Sequence, residues 1–176
     1  MSTLQQTQLP AGTWRLDSVH SDIEFGLEYM AGTFRGHFAA ITADVVDGAL
    51  NGSAEVSSVQ VKDPNLEAHL QSPEFFDAER HPQITFRSTN VGREGDELSI
   101  DGEITIAGTS QPLELRGTIS EPGPDPWGNE RFGLKLETSV DRTTFGMNWN
   151  NPLPSGEPAL SNEVTISADL QFVQQA

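Results

Sequence analysis

The sequence LSIDGEITIAGTSQPLELRGTIS, residues 98–120, indicates the fold class of this chain. Apolar residues or glycine stand at every second position in 98–106, and the same alternation returns in 113–119. Polar residues fill the positions between them. Two alternating segments joined by a short turn, here around Gly108 and Pro112, are typical of an antiparallel β-hairpin with one apolar and one polar face.

The same period of two recurs along most of the chain and predicts an all-β protein. The predicted strands cover about residues 13–17, 22–29, 34–46, 53–61, 83–91, 97–107, 112–121, 131–140 and 163–173. Sheets with one apolar face must bring these faces together, either across a sandwich or around a barrel. A barrel of about eight strands is just wide enough to hold a small apolar ligand.

The first interruption of this alternation predicts a helix. Asp63 followed by Pro64 is a typical helix start. Leu66 and Leu70 then lie four residues apart, on one helix face. We therefore predict one main helix between the fourth and the fifth predicted strand, followed by a short turn.

The second interruption is residues 141–162, a long loop without a strand of its own. Met147 and Trp149 are apolar residues in this otherwise polar segment, and such side chains need a surface to rest on. Loops of this length in a compact domain are often lids or binding loops. Two interpretations stay open, a lid over a binding site and a loop packed over a barrel end, and one loop can be both.

The composition excludes several classes of protein. The 176 residues include 26 Asp and Glu against 10 Lys and Arg, which gives a formal net charge of −16. Neither nucleic acid nor an anionic membrane surface is therefore an expected partner. The lack of cysteine excludes disulfides and thiolate chemistry. No run approaches the roughly 20 apolar residues of an integral membrane segment.

We expect one domain, residues 12–176, preceded by a flexible tail, residues 1–11. The stretch Met1–Gly12 has neither the basic region nor the apolar run of a signal peptide. A cytoplasmic location is therefore expected.

Sequence signals for catalysis and for metal binding are weak. The four histidines show no local zinc-binding spacing. No nucleophile elbow, phosphate loop or dinucleotide fingerprint is present. Asp17 and His20 lie between the first two predicted strands, where they can bond the backbone and each other and so fix a bend. We therefore predict no catalytic residues, no metal ligands and no cofactor.

Several stretches together form a recognisable set. They are WRLDSVHSDIEF (residues 14–25), GHF (36–38), FFDA (75–78), the hairpin of 102–112, FG (132–133) and DRTTFG (141–146). With the alternating C-terminal strand, this set closely resembles the YceI-like family of lipocalin-type polyisoprenoid-binding proteins. The resemblance extends over about residues 12–173.

The resemblance implies an eight-stranded antiparallel lipocalin-like barrel with a long apolar cavity. It implies a guest that is an isoprenoid or other long-chain lipid, such as a prenyl phosphate or an isoprenoid quinone. Family members are commonly dimers, so a homodimer is expected. This chain has Glu28-Tyr29 where the family often carries a basic residue followed by histidine. Together with the net charge of −16, this departure favours a neutral head group such as a quinone.

The residues expected to bind the lipid share the apolar phase of their strands or belong to the long loop. They are Phe25, Leu27, Phe86, Ile104, Leu115, Phe132, Leu134, Met147, Trp149 and Ile166. Ligand pockets are mostly apolar, with few polar groups. Two other functions stay open. One is a stress-response protein without a tight ligand, and the other is a lipid-dependent enzyme centred on His20 and Asp17.

Overall fold

The computed structural model describes residues 9–175, and within them the chain forms eleven β-strands and one α-helix. The strands are β1 (Thr13–Leu16), β2 (Asp22–Tyr29), β3 (Gly32–Phe38), β4 (Ile41–Val46), β5 (Ala49–Glu55), β6 (Val59–Gln60), β7 (Gln83–Glu94), β8 (Glu97–Ile106), β9 (Thr109–Pro124), β10 (Glu130–Asp141) and β11 (Glu163–Gln174). The helix, α1, is Pro64–Gln71.

The strands close into an antiparallel barrel with eight strand positions. Hydrogen-bonded neighbours follow the order β1–β4–β5–β7–β8–β9–β10–β11, and β11 pairs again with β1. The C-terminal part of β11 pairs with β1 and its N-terminal part with β2, so β1 and β2 occupy one position in turn. The predicted all-β, eight-stranded antiparallel barrel is therefore confirmed.

Two predicted strands are divided in the structure. The predicted strand 34–46 breaks into β3 and β4, and the predicted strand 53–61 begins earlier and becomes β5 and β6. The breaks let each part pair with different neighbours, because β3 pairs with β2 and β6 whereas β4 pairs with β1 and β5. A change of partner leaves no mark on the alternation of one strand, so the sequence did not predict it.

The hairpin of β8 and β9 forms as predicted, but its turn is shorter than expected. Ala107 and Gly108 have φ angles of 50° and 80°, and positive φ at both central residues is typical of a two-residue hairpin turn. Pro112, which the sequence placed in the turn, lies within β9 opposite Glu103. Every second residue of β8, from Leu98 to Ile106, is buried as the alternation predicts.

Helix α1 begins where the sequence predicts. The Asp63 carboxylate accepts a hydrogen bond from the Asn65 N–H at 2.9 Å and caps the helix. Leu70 and, in the following turn, Phe75 and Phe76 are buried against the inner face of the barrel. The helix and this turn therefore cover one barrel end. Within residues 9–175, no helix is both long enough and apolar enough to cross a membrane.

Two hydrophobic clusters divide the barrel interior between them, and the same long strands contribute to both. The packed-end cluster consists of Leu9, Trp14, Val45, Leu50, Val91, Leu98, Ile100, Ile119, Phe132, Leu134, Leu136, Leu170 and Phe172. The helix-end cluster consists of Phe25, Leu27, Phe38, Ile41, Ala54, Val56, Val59, Leu70, Phe75, Phe76, Ile104, Ile106, Phe145 and Met147.

The predicted tail, residues 1–11, is described only in part. Residues 1–8 lie outside the described residues. Leu9 is buried in the packed-end cluster, and the Trp14 indole N–H donates a hydrogen bond to Ala11 O at 2.9 Å. Packing of the barrel domain therefore begins before residue 12, the predicted boundary.

Candidate functional site

An apolar cavity occupies the interior of the barrel at the helix end. Its volume is about 240 Å³. The inner part of the cavity reaches Leu50, Leu136 and Leu170 of the packed-end cluster, and the outer part reaches Trp149 and α1. Dry engineered cavities of roughly 150 Å³ already bind benzene, and pockets for drug-sized ligands begin near roughly 300 Å³. The space is therefore suited to a slender apolar guest.

Eight of the ten residues predicted to bind a lipid form part of the cavity wall. They are Phe25, Leu27, Phe86, Ile104, Leu115, Met147, Trp149 and Ile166. Phe132 and Leu134 are also buried, but they belong to the packed-end cluster and lie away from the wall. Contact of the ten residues with a ligand stays a prediction.

Glycines make room for two of the aromatic rings on the wall. Gly36 lies opposite Phe25, and a Cβ atom added at Gly36 would lie 2.6 Å from Phe25 Cζ. A Cβ atom added at Gly102 would likewise lie 2.5 Å from Phe86 Cζ. Both distances are far below van der Waals contact, so each ring occupies space that a side chain on the neighbouring strand would take.

Aromatic side chains from the helix, the following turn and the long loop cover the outer part of the cavity. We call His69, Phe75, Phe76 and Trp149 the roof. The ring of His69 lies edge-on to Trp149 with centroids 4.7 Å apart, and Phe75 lies 5.7 Å from Trp149. Phe76 packs edge-on against Phe25 of the barrel at 6.3 Å. The loop that contains Trp149 therefore lies over the helix end.

Arg142 holds this loop in place through hydrogen bonds to its backbone carbonyls. The residue is only 3% exposed. Its Nη1 donates to Met147 O and to Trp149 O, both at 2.8 Å, and its Nε donates to Ser161 O at 2.9 Å. The guanidinium thus binds the loop near its start and near its end. Because it binds the backbone carbonyls of Met147 and Trp149, it also holds these two residues at the cavity wall.

Burial lowers the pKa of the Arg142 guanidinium, because desolvation disfavours its charged form. The neighbouring Asp141 carboxylate caps the short helical turn Arg142–Phe145 and accepts from Thr143 N at 2.9 Å and from Thr143 Oγ1 at 2.6 Å. These hydrogen bonds lower the pKa of Asp141. Nothing in the sequence distinguishes Arg142 from other arginines, since one arginine in a loop has no periodic pattern around it.

The Glu28-Tyr29 pair divides between the inside and the outside of the barrel. Tyr29 is part of the cavity wall. Glu28 is exposed, and its backbone pairs with Ser161, which donates from its N–H to Glu28 O at 3.0 Å. The negative charge of Glu28 therefore lies outside the cavity.

Asp17 and His20 form a structural junction away from the cavity wall. Asp17 Oδ2 lies 2.7 Å from His20 Nδ1 and accepts a hydrogen bond from Arg131 Nη1, also at 2.7 Å. The Arg131 guanidinium, followed by the His20 ring, holds the pKa of the Asp17 carboxyl far below its ordinary value. The side chain of His20 is 54% exposed. The junction ties the bend between β1 and β2 to β10, as the structural interpretation predicts.

A second polar cluster lies on the outer face of β2 and β3. Donor atoms of Asp22, Glu24 and His37 lie within 4.8 Å of one another. The sequence pattern gives no sign of this group, because its members lie on two strands. All three side chains are well exposed, and Arg35 Nε already approaches Glu24 Oε1 at 3.7 Å. This arrangement weakens the cluster as a metal centre.

Comparison with known sequences agrees with this architecture. A sequence profile of the YceI-like domain matches residues 14–172. Protein YceI of Salmonella arizonae is 33% identical over 153 residues, which cover 85% of this chain and 77% of that protein. Protein YceI of Salmonella paratyphi B matches with the same identity and coverage.

Solved structures share the fold. The crystal structure of Burkholderia cenocepacia BcnA superposes with a TM-score of 0.77 at 21% identity, covering 89% of this chain and 98% of that one. A polyisoprenoid binding domain from Saccharophagus degradans superposes with a TM-score of 0.71 at 11% identity, covering 92% and 98%. At these identities the structures show the fold alone. The profile and the Salmonella relatives, in contrast, show that this chain belongs to the YceI-like family.

Proposed function

We propose that this protein binds an isoprenoid lipid, either a polyprenyl chain or an isoprenoid quinone, and carries or sequesters it. The observation that carries the proposal is the cavity, whose wall is almost wholly apolar and continues from the roof to the packed-end cluster. A cavity of this kind is lined for a hydrocarbon chain and not for a polar metabolite.

Burial of the chain supplies the driving force. Each buried CH₂ contributes about 0.8 kcal/mol. Burial of a few isoprene units therefore offsets a substantial part of the translational and rotational entropy that the lipid loses on binding. The part of the chain that enters the cavity is therefore held without several polar contacts. The Saccharophagus degradans domain, described as polyisoprenoid binding, has the same fold and supports this assignment.

The structure favours a binding protein over the two alternatives. An enzyme centred on His20 and Asp17 would need these groups to face the bound lipid, but neither forms part of the cavity wall. A stress-response protein without a tight ligand would need a filled core, whereas the helix end contains a cavity of about 240 Å³. We therefore propose a binding role without catalysis.

A filled-cavity variant and a matched control test the proposal. Ala54 is buried on the wall, whereas Ala49 lies on the same strand, β5, and is exposed. Ala54→Phe should fill part of the cavity and weaken binding of farnesol or a short-chain isoprenoid quinone by at least about tenfold. Ala49→Phe should leave binding unchanged.

Native mass spectrometry of the purified protein provides the second measurement, by showing whether a lipid of the isoprenoid class remains bound. Failure of the wild-type protein to bind any member of this class would contradict the proposal. Equal binding by both variants would also contradict it, because the guest would then lie outside the cavity. The homodimer and the cytoplasmic location stay predictions, which sedimentation and cell fractionation test.

A further inference from the structure

One charged side chain interrupts the apolar wall. Among the described residues that form the wall, Arg142 is the only Asp, Glu, Lys or Arg. A guanidinium has five N–H donors. Three of them, on Nε and Nη1, are bound by Ser161 O, Met147 O and Trp149 O. Nη2 is buried and has no hydrogen-bond partner within residues 9–175.

The positive charge of Arg142 is also uncompensated at close range. In the part of the chain that the structure describes, no carboxylate oxygen lies within 4.0 Å of its guanidinium. The adjacent Asp141 carboxylate is bound by Thr143 instead. Burial of an unpaired charge and of two unsatisfied N–H donors is strongly unfavourable in proteins. The chain has 26 acidic residues, yet none of them forms an ion pair with this guanidinium.

We propose that Nη2 of Arg142 binds the anionic head of the guest lipid, a carboxylate or a phosphate, while the apolar chain fills the cavity. This inference rests on the proposed function and narrows it to lipids with an acidic head. A quinone carbonyl would satisfy one N–H but leave the charge uncompensated, whereas an anionic oxygen does both. The three backbone carbonyls hold the guanidinium in one orientation, so little conformational entropy is lost on binding.

The proposal reverses the expectation of a neutral head group. That expectation rested on Glu28-Tyr29 and on the net charge of −16. Glu28 is exposed, and its charge therefore lies on the outside of the barrel. Inside the wall the charge next to the guest is positive. The local charge of the site, and not the net charge of the chain, decides which head group is bound.

Matched lipid pairs on the wild-type protein test the preference first. Dodecanoic acid is compared with dodecanol, and farnesyl phosphate with farnesol, so that each pair has one chain and two heads. We expect each acid to bind about 10- to 100-fold tighter than its alcohol, which is the usual range for a hydrogen bond to a charged group. The ratio between farnesyl phosphate and dodecanoic acid then distinguishes a prenyl phosphate from a fatty acid as the preferred source.

Substitution of the arginine assigns the preference to one residue. Arg142→Met should abolish the preference for the acid over the alcohol. Arg35→Met removes one positive charge from the exposed outer face of β3 and should leave the preference for the acid unchanged. Because Arg142 also holds the loop, the carboxyl ¹³C signal of labelled dodecanoic acid bound to the wild-type protein provides an independent measurement. The pKa of the bound carboxyl should lie well below its value in detergent micelles.

The outcomes separate this inference from the proposed function. Equal affinity for acid and alcohol, a preference that persists in Arg142→Met, or an unshifted carboxyl pKa would each overturn the role of Arg142 and leave lipid binding in place. If no lipid of the series binds, the proposed function fails, and this inference fails with it.

Discussion

The two ends of the barrel are built from the same long strands, yet one is filled by side chains and the other surrounds a cavity. At the packed end, Phe132 meets Trp14 edge-on at 4.8 Å and stacks on Phe172 at 5.2 Å. Phe172 and Leu134 are fully buried there. At the helix end, the inward side chains pack around a cavity of about 240 Å³, and the roof covers the outer part of that cavity.

This difference shows that alternation determines which way a side chain points but not what it meets. Leu134 and Ile166 have the same pattern around them, but one lies in a filled core and the other on the cavity wall. The packed end is filled partly by Leu9 and Trp14, which come from the N-terminal segment. The helix end is instead covered by α1, the turn after it and the long loop, which leave room beneath them.

The largest expected effect comes from truncating one leucine at each end. Leu134→Ala should lower the free energy of unfolding by about 3–5 kcal/mol, because the site is close-packed on all sides. Leu27→Ala should lower it by about 2 kcal/mol, since one side of Leu27 faces the cavity and makes fewer contacts. Urea denaturation of both variants measures the difference. Equal losses would contradict the division of the barrel into a filled and a hollow end.

The sequence predicted inward-facing apolar side chains along the whole barrel, but it did not predict which end is filled and which contains a cavity. Alternation, the Asp63 helix start and the family resemblance predicted the barrel and the helix. With the two apolar residues of the long loop included, eight of the ten residues predicted to bind the lipid lie on the cavity wall. Phe132 and Leu134 were assigned to the wall because nothing in a strand pattern records distance across a barrel. Arg142 was missed for a related reason. Its partners are backbone carbonyls of a loop, and their positions depend on the folded chain.

The second prediction concerns the space that glycines leave for the wall aromatics. Gly36→Ala should displace the Phe25 ring into the cavity, destabilise the protein by about 1–3 kcal/mol and weaken lipid binding. Gly26→Ala is the matched control, because its added Cβ meets neighbours at an ordinary 3.6 Å. Thermal denaturation and lipid titration of both variants are compared. Unchanged lipid affinity in Gly36→Ala would show that the ring moves away from the guest.

The third prediction tests whether the long loop retains the guest. Met147→Ser combined with Trp149→Ser should speed lipid dissociation by about tenfold, because the loop loses the two apolar side chains that it places on the cavity wall. The same double variant should lose much less thermal stability than lipid retention, so its melting temperature should fall only slightly. Trp127→Ser is the control, since Trp127 is 74% exposed and lies outside the wall. Unchanged lipid retention in a displacement assay would show that the loop only packs over the barrel end and does not retain the guest.

The smallest expected effect lies at the junction of Asp17, His20 and Arg131. Asp17→Asn should lower the free energy of unfolding by about 1–2 kcal/mol at neutral pH, because it removes the negative charge that pairs with Arg131 and leaves the capping hydrogen bond in place. His20→Gln should change it by less than about 1 kcal/mol, since the ring is 54% exposed. Both variants should bind lipid as the wild type does.

The pH dependence of the same variant gives the sign of the charge effect. Because the pKa of Asp17 is lower in the folded protein than its ordinary value of 3.8, the ionised carboxylate stabilises the fold above that pH. This contribution is lost as the pH falls further below 3.8. The stability difference between wild type and Asp17→Asn should therefore be largest near neutral pH and shrink in acid, as followed by urea denaturation across the range. A constant difference would show that the charge of Asp17 does not stabilise the fold, because the capping hydrogen bond, which an asparagine side chain can also accept, does not change with pH. Lost lipid binding in either variant would instead move the junction into the functional site and remove the contrast between a purely structural end and a binding end.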